Sequence, residues 1–119
     1  MSSKHPERRF RDILDNISRI ESYTHGLDES GFIASPVVQD AVERCIARIS
    51  EAAVKIGSMA EGLVPEIPWT DIRAFGNRLR HAYDGIDPHY IWLIVMDDLP
   101  PLKVACETAL GKLGHGREP

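Results

Sequence analysis

Residues 71–87 read DIRAFGNRLRHAYDGID and gather Arg73, Asn77, Arg78, Arg80, His81, Tyr83 and Asp84 into roughly three turns of helix. Residues four apart share a helix face, so Arg73, Asn77 and His81 form one polar row, with Arg80 and Asp84 flanking it. An imidazole that titrates near neutrality can take or give a proton at working pH. An arginine or an amide can steady a phosphate oxygen. Together these groups are the minimum for cleaving RNA through its 2′-hydroxyl without a metal. A polar helix row is also what a solvated face looks like, and on the residues alone both readings stay open.

Other candidates are weaker. His5, His25, His89 and His115 are scattered, no HExxH occurs, and a break at residues 85–88 separates His81 from His89, so no metal site is expected. Asp97 and Asp98 are adjacent, and side chains one residue apart on a helix diverge; a helix-capping role in a turn before Pro100 is expected instead. Trp69 and Trp92 read as core or interface aromatics. There is no glycine-rich phosphate loop, and nothing in the sequence calls for a cofactor.

The elements that must hold this row are helices. Phe10, Ile13, Leu14, Ile17 and Ile20 recur at helical spacing over residues 6–23. Residues 28–31 read as a turn or connector. Ser35-Pro36 opens a second long helix that carries Val42, Cys45, Ile46, Ile49, Ala53 and Ile56 and ends between Gly57 and Gly62. Two prolines make residues 63–68 a linker. Trp69 then starts the helix of the polar row, which stops near Gly85. Asp87 and Pro88 cap a fourth helix running to about Met96, apolar nearly all round, with a short strand as the competing assignment. Residues 97–101 form a turn into a last helix. The expected architecture is an all-α bundle of four to five helices in one domain, residues 1–110, with a flexible tail over 111–119.

Composition sets the bounds. The chain has 119 residues, 43% hydrophobic and 27% charged, enough for one core and too few for a second full domain. Its net charge of -4 excludes a uniformly basic coat, so any affinity for nucleic acid has to come from a local patch. Cys45 and Cys106 lie far apart without CxxC spacing, which argues against a zinc ribbon, a redox pair or a disulfide scaffold and fits a reducing cytoplasm. No apolar run approaches the ~20 residues of a membrane span, and the N-terminus lacks an apolar signal core.

Pro68-Trp69 followed by DIRAFGNRLRHAYDGID, the tryptophan helix and DDLPPLK resembles the HepT-like branch of the HEPN superfamily, most strongly over residues 68–103. The resemblance implies an endoribonuclease toxin that needs no metal. It acts as a homodimer against RNA and is paired with a minimal nucleotidyltransferase antitoxin. The family signature is an arginine, four residues, a histidine, one residue and a tyrosine, commonly with asparagine after the arginine. Asn77, His81 and Tyr83 fall in register, and the arginine position is Gly76. By this resemblance His81 is the general acid or base, Asn77 orients the phosphate or the histidine, and Tyr83 is the acceptor for AMPylation by the partner. Gly76 inside a helix costs ~1 kcal/mol relative to alanine and asks for a cause. Three stay open: a silent member, replacement of the cation by Arg73 or Arg80, or a substitution made or selected because the active toxin harms its host. The alternative function is a catalytically silent helical dimer that docks the nucleotidyltransferase.

Overall fold

The computed structural model describes residues 4–80 and 87–115. Helix α1, Pro6–Thr24, turns Phe10, Ile13, Ile17 and Ile20 into the core, as their spacing predicts. Residues 28–31 depart from the expected connector. Asp28 caps a short helix, α2 (Glu29–Ile33), its Oδ1 accepting the Gly31 N–H at 2.8 Å, and Phe32 anchors that helix by complete burial. Helix α3, Pro36–Ile56, starts behind Ser35, whose side chain makes no cap bond. Gln39 Nε2 instead donates to the carbonyls of Phe32 and Ile33, both at 2.9 Å, and joins the end of α2 to the start of α3. Gly57, at φ 73°, ends α3 in the left-handed region that favours glycine.

A five-residue helix, α4 (Met59–Leu63), precedes the proline linker. The linker is tied down by Trp69, whose indole N–H donates to the Val64 carbonyl at 2.8 Å. Helix α5, Trp69–Arg80, carries the first part of the polar row; the predicted end of that helix near Gly85 lies outside the described residues. Helix α6, Pro88–Leu93, opens as expected on Asp87, which accepts the His89 N–H at 3.0 Å.

Beyond this point the chain departs from expectation. The chain makes no turn at residues 97–101: it stays helical from α6 through a π-helical segment, Ile94–Asp98, into α7, Leu99–His115. Pro100 and Pro101 lack N–H donors, and in an α-ladder their rings would press on carbonyls four residues earlier. Widening the ladder by one residue, with Leu99 N–H donating to the Ile94 carbonyl, accommodates both prolines without breaking the helix. Asp97 and Asp98 therefore sit inside a helix and cap nothing. The α6 region is apolar on its outward face as well, since Ile91, Trp92 and Ile94 are buried while Leu93 and Met96 face outward. Helix α7 also continues through residues 111–115, past the expected domain boundary at residue 110.

Helix α1 packs on α3 and α7, α5 also packs on α3, and α6 rests on α2 and α3. The core is continuous across these contacts. Phe10 of α1 meets Trp69 of α5 edge-on at 6.2 Å, and Phe32 of α2 meets Trp92 of α6 at 5.3 Å. Each fully buried isoleucine contributes about 1.5–3 kcal/mol through burial, which offsets the entropy of ordering so many short elements. Among the described residues there is no strand, and no helix is long and apolar enough to cross a membrane. The fold is an all-α HEPN-type bundle.

Candidate functional site

Helix α5 is fixed to α3 by polar contacts at its backbone and at one arginine. Ser50 of α3 is 3% exposed; its hydroxyl donates to the Arg73 carbonyl at 2.6 Å and accepts the Gly76 N–H at 3.0 Å. One side chain thus grips two backbone groups of the site helix, and residue 76 is buried against α3. Gly76 is thus buried where α5 meets α3, with its amide engaged by Ser50.

Arg73 is committed to structure on the same flank. Its Nη1 and Nη2 donate to Glu61 of α4 at 2.7 and 2.6 Å, Nη2 also donates to the Gly57 carbonyl at 2.9 Å, and Nε donates to the Ala53 carbonyl at 3.4 Å. The guanidinium holds the Glu61 carboxyl below the usual carboxylate range, chiefly through those hydrogen bonds. Arg73 thereby adds donors to the Ala53 and Gly57 carbonyls, which also accept the Gly57 and Ala60 N–H groups, and ties α3, α4 and α5 together.

Asn77, the next residue of the row, is exposed. Arg73 and Asn77, placed on one row by spacing, are therefore separated in role: one faces the bundle and the other faces solvent. His81 and Tyr83 lie outside the described residues, as does the side chain of Arg80. Arg78, which lies off the row of Arg73, Asn77 and His81, is exposed and donates through Nη1 to the Tyr90 hydroxyl of α6 at 2.7 Å. The signal was faint, because an arginine off the row and a tyrosine beyond a glycine break share no periodicity. A signal for the Ser50 contact did exist: Ser50, Ala53 and Gly57 form a row of small residues on α3, and all three meet α5.

The neighbouring electrostatics are local. His89 of α6 pairs with Glu29 of α2, and that carboxylate raises the imidazole above its ordinary value of 6.5, with Asp87 adding a smaller push. Asp98 is raised first by burial and then by Asp97 and Asp71. Cys45 and Cys106 are buried and free, and burial pushes the Cys106 thiol up to about 12. A polar cleft of about 240 Å³ between α1 and α3 and an apolar groove of about 510 Å³ between α1 and α7 take no residue from α5. Among the described residues no cluster of His, Cys, Asp and Glu is placed to hold a metal ion.

An all-α bundle with Asn77 exposed on α5 is what the resemblance to HEPN-type proteins implies. Comparison with known proteins makes this specific. The family model described as "Ribonuclease HepT-like" matches residues 13–109, and the chain belongs to that family. It is 36% identical to a "Probable ribonuclease HepT" of Thermococcus cleftensis over 77% of this chain and 84% of that protein. It is 31% identical to "Putative RNase MJ1380" of Methanocaldococcus jannaschii over 90% of this chain and 98% of that one. No solved structure gives a significant match.

Proposed function

We propose that this chain is the ribonuclease toxin of a toxin and antitoxin pair, cleaving RNA without a metal in the cytoplasm. The observation that carries the reading is membership of the HepT-like ribonuclease family with Asn77, His81 and Tyr83 in the register of its motif. In the proposed reaction the RNA 2′-oxygen attacks the adjacent phosphorus and the bond to the 5′-oxygen breaks. His81 takes the 2′-hydroxyl proton or supplies one to the leaving oxygen, and Asn77 orients the phosphate. The products are a 2′,3′-cyclic phosphate and a 5′-hydroxyl, so the step balances without an outside reactant. Arg73 is held by Glu61 and by the Ala53 and Gly57 carbonyls, which argues against its replacing the missing cation.

The proposed partner is a minimal nucleotidyltransferase that silences the toxin by transferring AMP to Tyr83, which would put a bulky anion two residues from His81. The proposed assembly is a homodimer, supported by the outward-facing Leu93, Met96 and Val104 along α6 and α7. A second reading is favoured by one observation, the burial of position 76: without the motif arginine the dimer would be catalytically silent and would serve to dock the nucleotidyltransferase.

Growth of cells expressing the chain separates these readings. Arrest by the parent, its loss in His81→Ala and its relief by the nucleotidyltransferase with addition of AMP to Tyr83 support the toxin. Normal growth with intact RNA, together with a stable complex with the nucleotidyltransferase, supports the docking module.

A further inference from the structure

We propose that Arg78, held by Tyr90, is the phosphate-binding cation of the site and takes the part that position 76 cannot. The proposal rests on the ribonuclease reading above and names how the chain would hold its RNA. Three observations lead to it. Residue 76 is buried, with its amide bonded to Ser50. Arg73 is spent on the Glu61 carboxylate and on two backbone carbonyls. Arg78 is exposed, directly follows the exposed Asn77, and among the described residues its side-chain hydrogen-bond partner is an uncharged hydroxyl, with the Asp71 carboxylate acting on it through space and less strongly.

The nature of that partner decides the argument. A carboxylate would neutralise the arginine, as Glu61 does for Arg73. A phenol oxygen orients the guanidinium and leaves its charge intact. A guanidinium has five N–H donors, and accepting one leaves the tyrosine free to donate its own proton. The pair therefore offers four remaining N–H donors from Arg78 beside the O–H of Tyr90, which matches the oxygens of a phosphodiester and suits Arg better than Lys. Tyr90 is half-buried and packed against the core, so it sets the position of Arg78 from the α6 side. In a chain of net charge -4, such a local donor patch is what attraction to RNA requires.

The test is binding of a mixed-sequence single-stranded 2′-O-methyl RNA, which cannot be cleaved through the 2′-oxygen, followed by fluorescence anisotropy over a salt series. Arg78→Ala is expected to weaken binding about tenfold and to reduce the slope of log affinity against log salt by roughly 0.7, the share of one single-strand phosphate contact. Arg78→Lys is expected to keep the slope and lose part of the affinity, and Tyr90→Phe to weaken binding several-fold at unchanged slope. Arg11→Ala, an exposed arginine on α1, is expected to change neither. An unchanged slope in Arg78→Ala, an equal loss in Arg11→Ala, or a loss confined to Arg80→Ala overturns the proposal. Cleavage that depends on His81 yet is unaltered in Arg78→Ala overturns it while leaving the ribonuclease reading in place. Failure of the parent to bind the oligonucleotide overturns both.

Discussion

Ser50 binds the α5 backbone at the Arg73 carbonyl and the Gly76 N–H, and residue 76 is buried at that contact. Restoring the motif by Gly76→Arg should therefore cost stability, about 1–3 kcal/mol from overpacking, read as a lower urea midpoint. A variant as stable as the parent would show that an arginine fits there after all. Ser50→Ala is expected to lose about 1 kcal/mol by removing both bonds, again read by urea unfolding. Arg73→Ala should cost a similar amount, since Glu61 is part-exposed and its ion pair is screened.

At the level of elements, two ion pairs respond to pH in opposite directions. His89 is raised above 6.5 by Glu29, so its contribution to the α2–α6 contact is complete below 6.5 and is lost as pH rises through the raised value. Glu61 is lowered below 4.5 by Arg73, so the α4–α5 clamp contributes fully above 4.5 and is lost as pH falls through the depressed value. Both contacts are complete between those two limits. Amide exchange in α2, corrected for its intrinsic pH dependence, should then accelerate above neutrality, and Glu29→Gln should abolish that change. Exchange in α2 that ignores pH would contradict the assignment. In the π-helical segment, Asp98 is raised by burial and by like charges, which means its ionised form opposes folding. Asp98→Asn should accordingly be neutral or stabilising at pH 7 by thermal melting, with the difference vanishing at acidic pH.

For the molecule as a whole, the helices with long apolar rows were legible in the sequence. The periods of Phe10 to Ile20 and of Val42 to Ile56 point to α1 and α3, and a proline-capped start marks α6. What escaped periodicity were the short α2, which depends on one aspartate cap, and the π-helical passage, where two prolines suggest a turn but are absorbed by an open ladder. Asn77, His81 and Tyr83 were legible as a motif because four-residue spacing and family register coincide. The division of labour among Arg73, Arg78 and Gly76 was not, because it depends on Ser50, Glu61 and Tyr90, which lie on other helices. In solution the reading expects a particle of twice the 13.3 kDa chain mass by light scattering.

The central claim is that His81 makes this bundle a ribonuclease, and the most direct measurement is RNA cleavage by the purified chain in excess EDTA, beside His81→Ala. The account predicts fragments ending in 2′,3′-cyclic phosphate from the parent and at least a ~100-fold slower reaction in the variant. Intact RNA with the parent, or equal cleavage by the two proteins, would contradict it.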